Sequence, residues 1–511
     1  MTDVTTATLT AVEGSVPTPP PPPGWLPGAR AGAIAFLLLI ALPPIAYAFG
    51  VRPPAAENRT PTSPPAVGGV AALEPDALAQ LTDHLIDALP GRDAAIRADA
   101  WLDLVVFGAS PSEDVLIGAD DWLFLRPTVD ARCRSDAEVL AMGAELERAA
   151  DLVARTGREL HTLIAPDKAT MYPDRLPALL PDSDCGQRFG EQIRRLLEHD
   201  PPLGYVPFWS RLEDLRDRAG EPIYFAADTH WRTEGSAVMV EAIVDTFDDS
   251  LFDTAVPRRL EPTPFQGDLT LLTGLPRTEV EAPLVLERPG ITWESARRRD
   301  VPEVGPGVPG LDASRLRATG GEVVPGRVTM LHDSFAYMTP PQLGPFFAEL
   351  FLIRKHAATV PWVGGILSGS EHIVFEVVER DAWWRIVEDH LAASLAAALR
   401  DDLPTTSGWL RPSGAGGWAP LELRRGDVLV VPSVVDERVD GTYRLQVRAP
   451  GGEVVELRSQ QDARAGEELV FDTVGLGASR ALPVGTVEAR LVHPDGTAVE
   501  ETLRLDVVAT R

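Results

Sequence analysis

The sequence contains few cysteines and few lysines, and its charge is strongly negative. Two cysteines among 511 residues exclude a disulfide-dense scaffold and a four-cysteine zinc site. Lys168 and Lys355 are the only lysines, and arginine supplies the other basic residues. Lys and Arg total 47 against 75 Asp and Glu, which gives a net charge of −28. A chain this acidic, without a basic run, is not expected to bind nucleic acid, because phosphate binding needs clustered positive charge.

The chain is long enough for several domains. At about 150 residues per domain, 511 residues predict about three domains. The hydrophobic fraction of 44% is ordinary for a globular protein and excludes a mostly disordered chain.

The N-terminal region contains one long uncharged stretch. Residues 31–51 lie between Arg30 and Arg52 without a charge, and their number matches the roughly 20 residues that cross a bilayer. We predict a retained transmembrane helix at 31–51, with a proline-rich cytoplasmic tail at 1–30. The alternative is a cleaved signal peptide, because Ala46-Tyr47-Ala48 has the form of a cleavage site. In both interpretations the remaining chain is exported. With the retained helix, we predict a single-pass protein of the cell membrane whose main domain is periplasmic or on the cell surface.

The exported part divides into three segments by composition. Residues 52–72 are rich in Pro, Ala, Thr and Ser and are typical of a linker. Residues 73–403 alternate helical and strand patterns, as α/β folds do, with a Pro- and Gly-rich insertion at about 254–321. Residues 404–511 show short strands with turn signals, which predicts a small β-sandwich. The predicted helices of the α/β domain are 135–156, 187–198, 211–219, 234–247, 341–350 and 383–399, and its predicted strands are 159–165, 205–208, 222–226, 327–331, 351–354 and 373–378.

The two cysteines are candidates for a disulfide. Outside the cytosol a disulfide persists, so Cys133 and Cys185 can pair. Two unpaired thiols are the alternative.

A D-x-H motif follows a predicted strand and precedes a predicted helix. In Asp228-Thr229-His230-Trp231, residues two apart in an extended segment point to the same side. The carboxylate can then accept the Nδ1 proton of the imidazole and leave Nε2 to act as a base. By itself the motif is more often a surface capping pair or half of a metal site.

A serine lies at a second strand-to-helix junction, in His332-Asp333-Ser334-Phe335. A serine on such a turn is exposed, and neighbouring helix-start amides can stabilise negative charge. An ordinary Asp/Ser helix cap is the alternative. Together the two motifs supply a nucleophile, a base and a residue that orients the base.

Four segments of the sequence resemble the alginate O-acetyltransferase AlgJ/AlgX family. Besides the DTHW and HDSF motifs, VLIGADDWLFL at 115–125 resembles the family's G-x-x-x-W-L-F segment, and IAPDKATMYPDRLP at 164–177 resembles its P-x-K-x-x-x-Y-P-x-x-L-P segment. The order and spacing of the four segments are more specific than any one of them. The resemblance implies an SGNH-hydrolase-like, flavodoxin-like parallel sheet with flanking helices.

The resemblance also implies roles for individual residues. Ser334 would accept the acetyl group, His230 would be its general base, and Asp228 would orient His230. His332 replaces the glycine that usually opens the serine block, which can alter the oxyanion pocket. The Gly and Asn blocks of standard SGNH esterases are not identifiable, so we predict the Ser334 amide as oxyanion donor, with Arg354 as a helper.

Other residues near these motifs allow two interpretations each. Lys168 can contact an anionic sugar or support its loop, and we favour the structural role. Trp122 and Trp231 can stack on sugars, but tryptophans in such segments more often belong to the core. We interpret His161 and His356 as satisfied structural histidines. No metal-ligand spacing occurs in the sequence.

These observations predict an exported polysaccharide O-acetyltransferase with an acetyl-serine intermediate. The sequence has no CoA or nucleotide motif, so no cofactor is predicted. Acetyl-CoA is cytosolic, so a membrane partner is expected to pass acetyl groups across the membrane. The family resemblance implies that this partner is a membrane-bound O-acyltransferase. Two alternatives remain: a carbohydrate acetylesterase with the same residues, and a non-catalytic polysaccharide-binding or scaffold protein.

Overall fold

The structure is a computed structural model of the full-length chain. It forms two compact units, Met1–Asp99 and Ala100–Arg511, which are described separately. It describes residues 27–51, 75–402 and the strand-forming segments between 412 and 508. Within 75–402 the description leaves out residues 89, 91, 108, 178–183, 275–276, 298–299, 305–311, 355, 357, 359 and 400–401. The predicted linker and most of the predicted cytoplasmic tail lie outside the described residues.

Thirteen α-helices occur among the described residues, several of them only one turn long. In chain order they are α1 Pro27–Ala48, α2 Pro75–Ala88, α3 Arg92–Leu102, α4 Asp136–Ala154, α5 Lys168–Met171, α6 Cys185–Ile193, α7 Trp209–Arg218, α8 Thr233–Asp245, α9 Asp268–Thr273, α10 Pro340–Leu343, α11 Pro361–Ser368, α12 Glu379–Trp383 and α13 Leu391–Ala398.

The first unit contains α1 and α2. Helix α1 covers most of the stretch predicted to cross the membrane, and Tyr47 near its end lies 3.2 Å from His84 of α2, measured from Oη to Nε2. Among the described residues, no helix meets the length and apolarity that a membrane span requires. The membrane anchor therefore stays a prediction.

The second unit contains all the strands that the structure describes. In chain order these are β1 Val115–Ile117, β2 Leu123–Leu125, β3 Glu159–Ala165, β4 Val256–Arg259, β5 Thr263–Gln266, β6 Thr278–Glu281, β7 Leu284–Glu287, β8 Thr292–Arg297, β9 Ala313–Thr319, β10 Val324–His332, β11 Phe347–Arg354, β12 His372–Val378, β13 Pro412–Ser413, β14 Gly417–Trp418, β15 Glu422–Arg424, β16 Val428–Val431, β17 Arg444–Arg448, β18 Val454–Arg458, β19 Leu469–Asp472, β20 Gly485–Val492 and β21 Ala498–Val508.

A six-stranded sheet forms the centre of the α/β region, in the order β3-β12-β10-β11-β9-β8. The first four strands are parallel, which places the carboxyl ends of β3, β10 and β12 at one edge. Strands β9 and β8 run antiparallel to their neighbours, so the sheet is mixed and the prediction of a purely parallel sheet is wrong at this side. The parallel strands are almost fully buried, as expected for a sheet covered on both faces.

Helix α4 shows why the predicted helices form where they do. Ser135 accepts a hydrogen bond from the Glu138 amide, and the Glu138 carboxylate accepts one from the Ser135 amide, which is a capping box. Its inward residues, among them Val139, Met142 and Leu146, are buried in the main core. The predicted helix 135–156 is confirmed apart from one or two residues at each end.

The chain around residue 340 differs from the prediction. The predicted helix 341–350 is wrong, because α10 ends at Leu343 and β11 already begins at Phe347. Pro345 lies in the short 3-10 turn Gly344–Phe346 between them. The apolar run that follows is compatible with a buried strand and with a helix. Its pairing with β10 and β9 in the central sheet makes it a strand.

The insertion at 254–321 contributes to the fold instead of only covering it. Strands β4 to β7 form two small antiparallel pairs, and β8 and β9 extend the central sheet. Helix α9 connects the paired strands β5 and β6 and begins at Asp268.

The C-terminal strands form three further sheets among the described residues, of which the smallest is the antiparallel pair of β13 and β14. One has five strands in the order β15-β21-β20-β17-β18, and β16 pairs with β19 in another. Strands β17 and β18 pair antiparallel, as do β20 and β21, in agreement with the short strands and turns predicted for 404–511. The division at 403/404 and the sandwich arrangement stay predictions.

Cys133 and Cys185 are joined by a disulfide, with their Cα atoms 4.7 Å apart. The bond ties the segment before α4 to the first residue of α6.

Candidate active site

The D-x-H motif lies at the tip of a narrow loop and not at the end of a sheet strand. The amide of Arg232 donates to the carbonyl of Ile223, and the backbones of Tyr224 and Trp231 form an isolated antiparallel β-bridge. The predicted strand 222–226 is therefore wrong as a sheet strand, because its pairing is with the residues that return from the motif. Residues 227–230 form the turn of this hairpin-like loop.

Asp228 and His230 form a tightly coupled pair. The His230 Nδ1 lies 2.7 Å from Oδ1 of Asp228, and the His230 amide donates to the same oxygen at 2.8 Å. Burial opposes ionisation of Asp228, but hydrogen bonds from the imidazole and nearby amides outweigh it and lower its pKa. A carboxylate that accepts the Nδ1 proton fixes the tautomer in which Nε2 is the basic atom. This Nε2 is buried and has no hydrogen-bond partner among the described residues.

Ser334 opens a 3-10 turn directly after β10. The turn spans Ser334–Ala336, and Asp333 caps it by accepting the Phe335 amide at 2.8 Å. Ser334 is half-buried, whereas Phe335 is fully buried. The predicted strand-to-helix junction is thus present as a strand followed by a capped turn.

The D-x-H loop and the serine turn pack against each other. The ring of His230 lies 5.0 Å from the ring of Phe335, measured between centroids. The indole of Trp231 donates a hydrogen bond of 3.0 Å to the Phe335 carbonyl. The structure therefore brings together Asp228, His230 and the turn that carries Ser334.

A second buried carboxyl group holds Asp333 from behind. The Asp333 amide donates to Oε2 of Glu376 at 3.1 Å, and the other Asp333 carboxylate oxygen accepts the Val378 amide at 2.6 Å. Burial and the nearby charge of Asp333 raise the pKa of Glu376 well above its ordinary value. Neutral Glu376 can form a hydrogen bond with Asp333 without adding a second buried charge.

Lys168 supports the D-x-H loop from inside. Its Nζ donates to the carbonyls of Phe225, Ala226 and Asp228 at 3.1, 3.2 and 2.6 Å. The side chain is 4% exposed, and burial lowers its pKa to about 7. The structural role favoured from the sequence fits this position, and contact with a sugar does not, because the ammonium group faces the loop backbone.

The two remaining sequence segments also meet here. Trp122 of the first segment packs against Tyr172 of the second at 4.8 Å between ring centroids, and the Leu123 amide donates to the Ala226 carbonyl. Tyr172 in turn accepts the Ile223 amide through its hydroxyl oxygen. All four segments that carry the family resemblance therefore converge on one edge of the sheet.

Asp268 belongs to the site and was missed by the sequence analysis. Its carboxylate accepts hydrogen bonds from the amide and hydroxyl of Thr229, and its amide donates to Oδ2 of Asp228 at 2.7 Å. Burial and the charge of Asp228 raise the pKa of Asp268. The preceding Gly267 passes so close to the Ala227 carbonyl that a Cβ would clash. A Gly-Asp pair at a helix start was the available signal, but it lay within a Pro- and Gly-rich insertion.

The two tryptophans near the motifs belong to the core, which is the interpretation favoured from the sequence. Trp231 is fully buried, so it cannot stack on a substrate, and it instead holds the serine turn. Trp122 is also a core residue. Arg354 ends β11 in register with His332, and its role as an oxyanion helper stays a prediction.

The carboxylates around His230 could also hold a metal ion. Asp228, His230 and Asp268 each offer a ligand atom, and these atoms lie within 4.8 Å of one another. The hydrogen bond between Nδ1 and Asp228 already uses two of these atoms, which favours the acid–base pair.

Comparison with known proteins gives one family match. Residues 115–290 match the model described as "SGNH hydrolase-like domain, acetyltransferase AlgX". None of the curated proteins matches the chain significantly.

Several solved structures are similar. The O-acetyltransferase domain of Pseudomonas putida AlgJ is 17% identical, covers 53% of this chain and 92% of its own, and has a TM-score of 0.35. Pseudomonas aeruginosa AlgX is 12% identical, with 70% and 86% coverage and a TM-score of 0.39. Bacillus cereus PatB1 is 12% identical, with 52% and 97% coverage and a TM-score of 0.37.

The family match spans three of the four segments singled out above, from 115 to the D-x-H loop, and continues through Asp268. It confirms the predicted SGNH hydrolase-like fold and the predicted enzyme class. Residues 115–290 are therefore similar to the SGNH hydrolase-like domain of the acetyltransferase AlgX, which is of the family that the sequence motifs resemble.

Proposed function

We propose that this protein is an extracytoplasmic polysaccharide O-acetyltransferase that works through an acetyl-serine intermediate. Ser334 is the nucleophile, His230 its general base, and Asp228 the residue that orients His230. The observation that carries the proposal is the Asp228–His230 pair, whose unpartnered Nε2 belongs to an imidazole packed beside the serine turn. The AlgJ and AlgX neighbours and the family description support an exopolysaccharide hydroxyl as acceptor.

The proposed reaction has two steps, acetylation of Ser334 and transfer of the acetyl group to the sugar. In the first step Oγ of Ser334 attacks the donor's acetyl carbonyl, its proton passes to Nε2 of His230, and the donor's leaving group departs with that proton. In the second step a sugar hydroxyl gives its proton to Nε2 and attacks the acetyl-serine ester, and the proton returns to Oγ. Asp228 stabilises the imidazolium in both steps, and the Ser334 amide is the proposed oxyanion donor.

The acetyl group must reach the site from the cytosolic side. We propose a membrane-bound O-acyltransferase as the donor and α1 as a retained anchor that keeps the two proteins close. The Cys133–Cys185 disulfide supports an extracytoplasmic location, because disulfides persist in oxidising compartments.

The proposal is tested with an activated acetyl ester. We expect mass spectrometry to find one acetyl group on Ser334 after incubation with p-nitrophenyl acetate, and none in Ser334→Ala. His230→Ala and Asp228→Asn should lower the acetylation rate by about 10³-fold or more, because the three groups act as one unit. An acetyl-enzyme formed by Ser334→Ala would contradict the assignment of the nucleophile.

The same assay distinguishes the alternatives by product. Adding an oligosaccharide should give acetylated sugar at the expense of free acetate. Free acetate in equal yield with and without the oligosaccharide would identify an esterase. Sugar binding without any turnover, unaffected by the three substitutions, would identify a scaffold protein.

A further inference from the structure

A cluster of two histidines and one glutamate lies at the opposite edge of the central sheet. Glu159 is the first residue of β3 and His372 the first residue of β12, and the two residues are paired in register. His161 is two residues further along β3 and therefore on the same face as Glu159. Seven residues of β3 separate this edge from the active-site edge, which is a distance of about 20 Å.

The three side chains direct their polar atoms toward one point. Nδ1 of His372 lies 3.2 Å from Oε2 of Glu159, and Nε2 of His161 lies 3.7 Å from the same oxygen. All three candidate ligand atoms are within 4.8 Å of one another. The imidazole rings lie 5.9 Å apart between centroids and are nearly parallel. A carboxylate oxygen thus lies within reach of two imidazole nitrogens.

The two nitrogens face the Glu159 carboxylate at ion-pair distance but make no hydrogen bond to a described residue. Nε2 of His161 and Nδ1 of His372 are buried, and neither has a hydrogen bond among the described residues. The sequence-based prediction of a satisfied structural His161 is therefore wrong. Phe247 packs edge-on against both rings, at 5.2 and 5.0 Å, and restricts their orientation. Buried polar atoms without partners are costly, and a ligand that binds both would remove that cost.

We propose that Glu159, His161 and His372 form a binding site for a divalent transition-metal cation, most readily zinc. Two imidazole nitrogens and one carboxylate oxygen are a common ligand set for this ion, and water would complete a tetrahedron. Tetrahedral zinc places its ligand atoms about 3.3 Å apart, close to the 3.2 and 3.7 Å that separate the Glu159 oxygen from the two nitrogens. Glu159 is exposed, which leaves an entry path from solvent.

The bound ion would join the amino ends of two neighbouring strands. Because β12 returns to β3 only after some 200 intervening residues, such a link would connect distant parts of the chain. The large sequence distance also explains why no metal-ligand spacing is visible in the sequence. The site is separate from the acetylation chemistry and does not depend on the proposed function.

The test is zinc binding by the untagged full-length protein after removal of metal with a chelator. The His230→Ala background removes the second possible cluster at Asp228, His230 and Asp268. In this background, calorimetric titration with zinc chloride should give one equivalent bound. Glu159→Gln, which changes an exposed residue, should weaken the affinity at least tenfold, as should His161→Gln and His372→Gln. His199→Ala, at an exposed histidine, is the matched control and should leave the affinity unchanged.

Two further readouts complete the test. Saturating zinc should raise the melting temperature of the His230→Ala protein, called the parent here. It should not raise that of the variant that also carries Glu159→Gln, because a ligand stabilises only the state that binds it. Cobalt(II) chloride should give the visible absorption of a tetrahedral site in the parent only. Absence of zinc binding, or equal affinity in the parent and Glu159→Gln, would overturn the proposal. Zinc binding that is lost in His230→Ala but kept when Glu159→Gln is made alone in the wild-type protein would place the ion in the active site and also overturn it.

Discussion

At the scale of single residues, the candidate active site depends on side chains that hold the backbone of its two segments. Lys168 binds three carbonyl oxygens of the loop that carries Asp228 and His230. Asp268 binds the same loop from the insertion, and Glu376 holds the residue before Ser334. These contacts fix the backbone of both segments of the proposed active site, so small changes in them should alter the rate of the proposed reaction.

Lys168→Met tests this support through the pH dependence of stability. The pKa of Lys168 falls from 10.5 to about 7 on folding, so between these values the unfolded chain binds one more proton than the folded protein. The contribution of Lys168 to the free energy of unfolding should therefore rise with pH in this window, by about 1.4 kcal/mol per pH unit. Below about pH 7 the contribution should become constant.

Urea unfolding of the wild type and Lys168→Met at several pH values between 7 and 9.5 measures this difference. The acetylation rate of Lys168→Met should also fall, because the loop loses its internal donor. Arg218→Met, at the exposed end of α7, is the control for loss of a cation. A difference in unfolding free energy that does not change with pH would contradict the prediction.

Sequence reasoning could select Ser334, His230 and Asp228 as candidates because each lies in a short motif whose chemistry is local. It could not find Glu376, because its proximity to Asp333 results from the pairing of β10 with β12. Nor could it place Trp231, whose neighbour Phe335 is brought close only by the tertiary fold.

At the scale of elements, the disulfide connects two helices that flank the sheet. Cys133 precedes α4 and Cys185 begins α6, with a sequence separation of 52. A covalent link of this length reduces the conformational entropy of the unfolded chain. Its effect should therefore appear in stability and not in the arrangement of the site.

Replacing both Cys133 and Cys185 by Ala should lower the free energy of unfolding by about 4 kcal/mol, from the entropy of a loop of this length. Guanidinium unfolding with and without a reductant measures it. The wild type should lose stability on reduction, whereas the double variant should not respond. Equal unfolding midpoints of the oxidised and reduced wild type would contradict the prediction.

The elements also show where sequence patterns are ambiguous. The strands β3 and β12 were predicted nearly in full, because their apolar runs are short and bounded by polar residues. The run at 345–353 was divided wrongly between helix and strand, because a fully buried strand lacks the alternation that identifies it. Strands β8 and β9 lie in an insertion whose charged, exposed residues hid their membership of the sheet.

At the scale of the whole molecule, the dominant property is the net charge of −28. A negative protein repels a polyanionic chain over about one Debye length, which is roughly 10 Å at 0.1 M salt. The charge therefore affects which glycans approach the site at useful rates.

Acetyl transfer to an anionic oligosaccharide should increase with ionic strength, by several-fold between about 0.02 and 0.2 M salt, whereas transfer to a neutral oligosaccharide of equal length should hardly change. Measuring kcat/KM for both acceptors over this range tests the prediction. A fall in the rate with the anionic acceptor as salt rises would show instead that local arginines dominate the encounter.

The hairpin-like loop that presents His230 pairs with itself and not with the central sheet, and it is held by Lys168 from one segment and Asp268 from another. In an incompletely folded chain this loop is not yet held in place, so Ser334 has no base beside it and has the reactivity of an ordinary serine. Acylation competence should arise only with the final cooperative stage of folding, so a nascent or translocating polypeptide would be protected from premature modification.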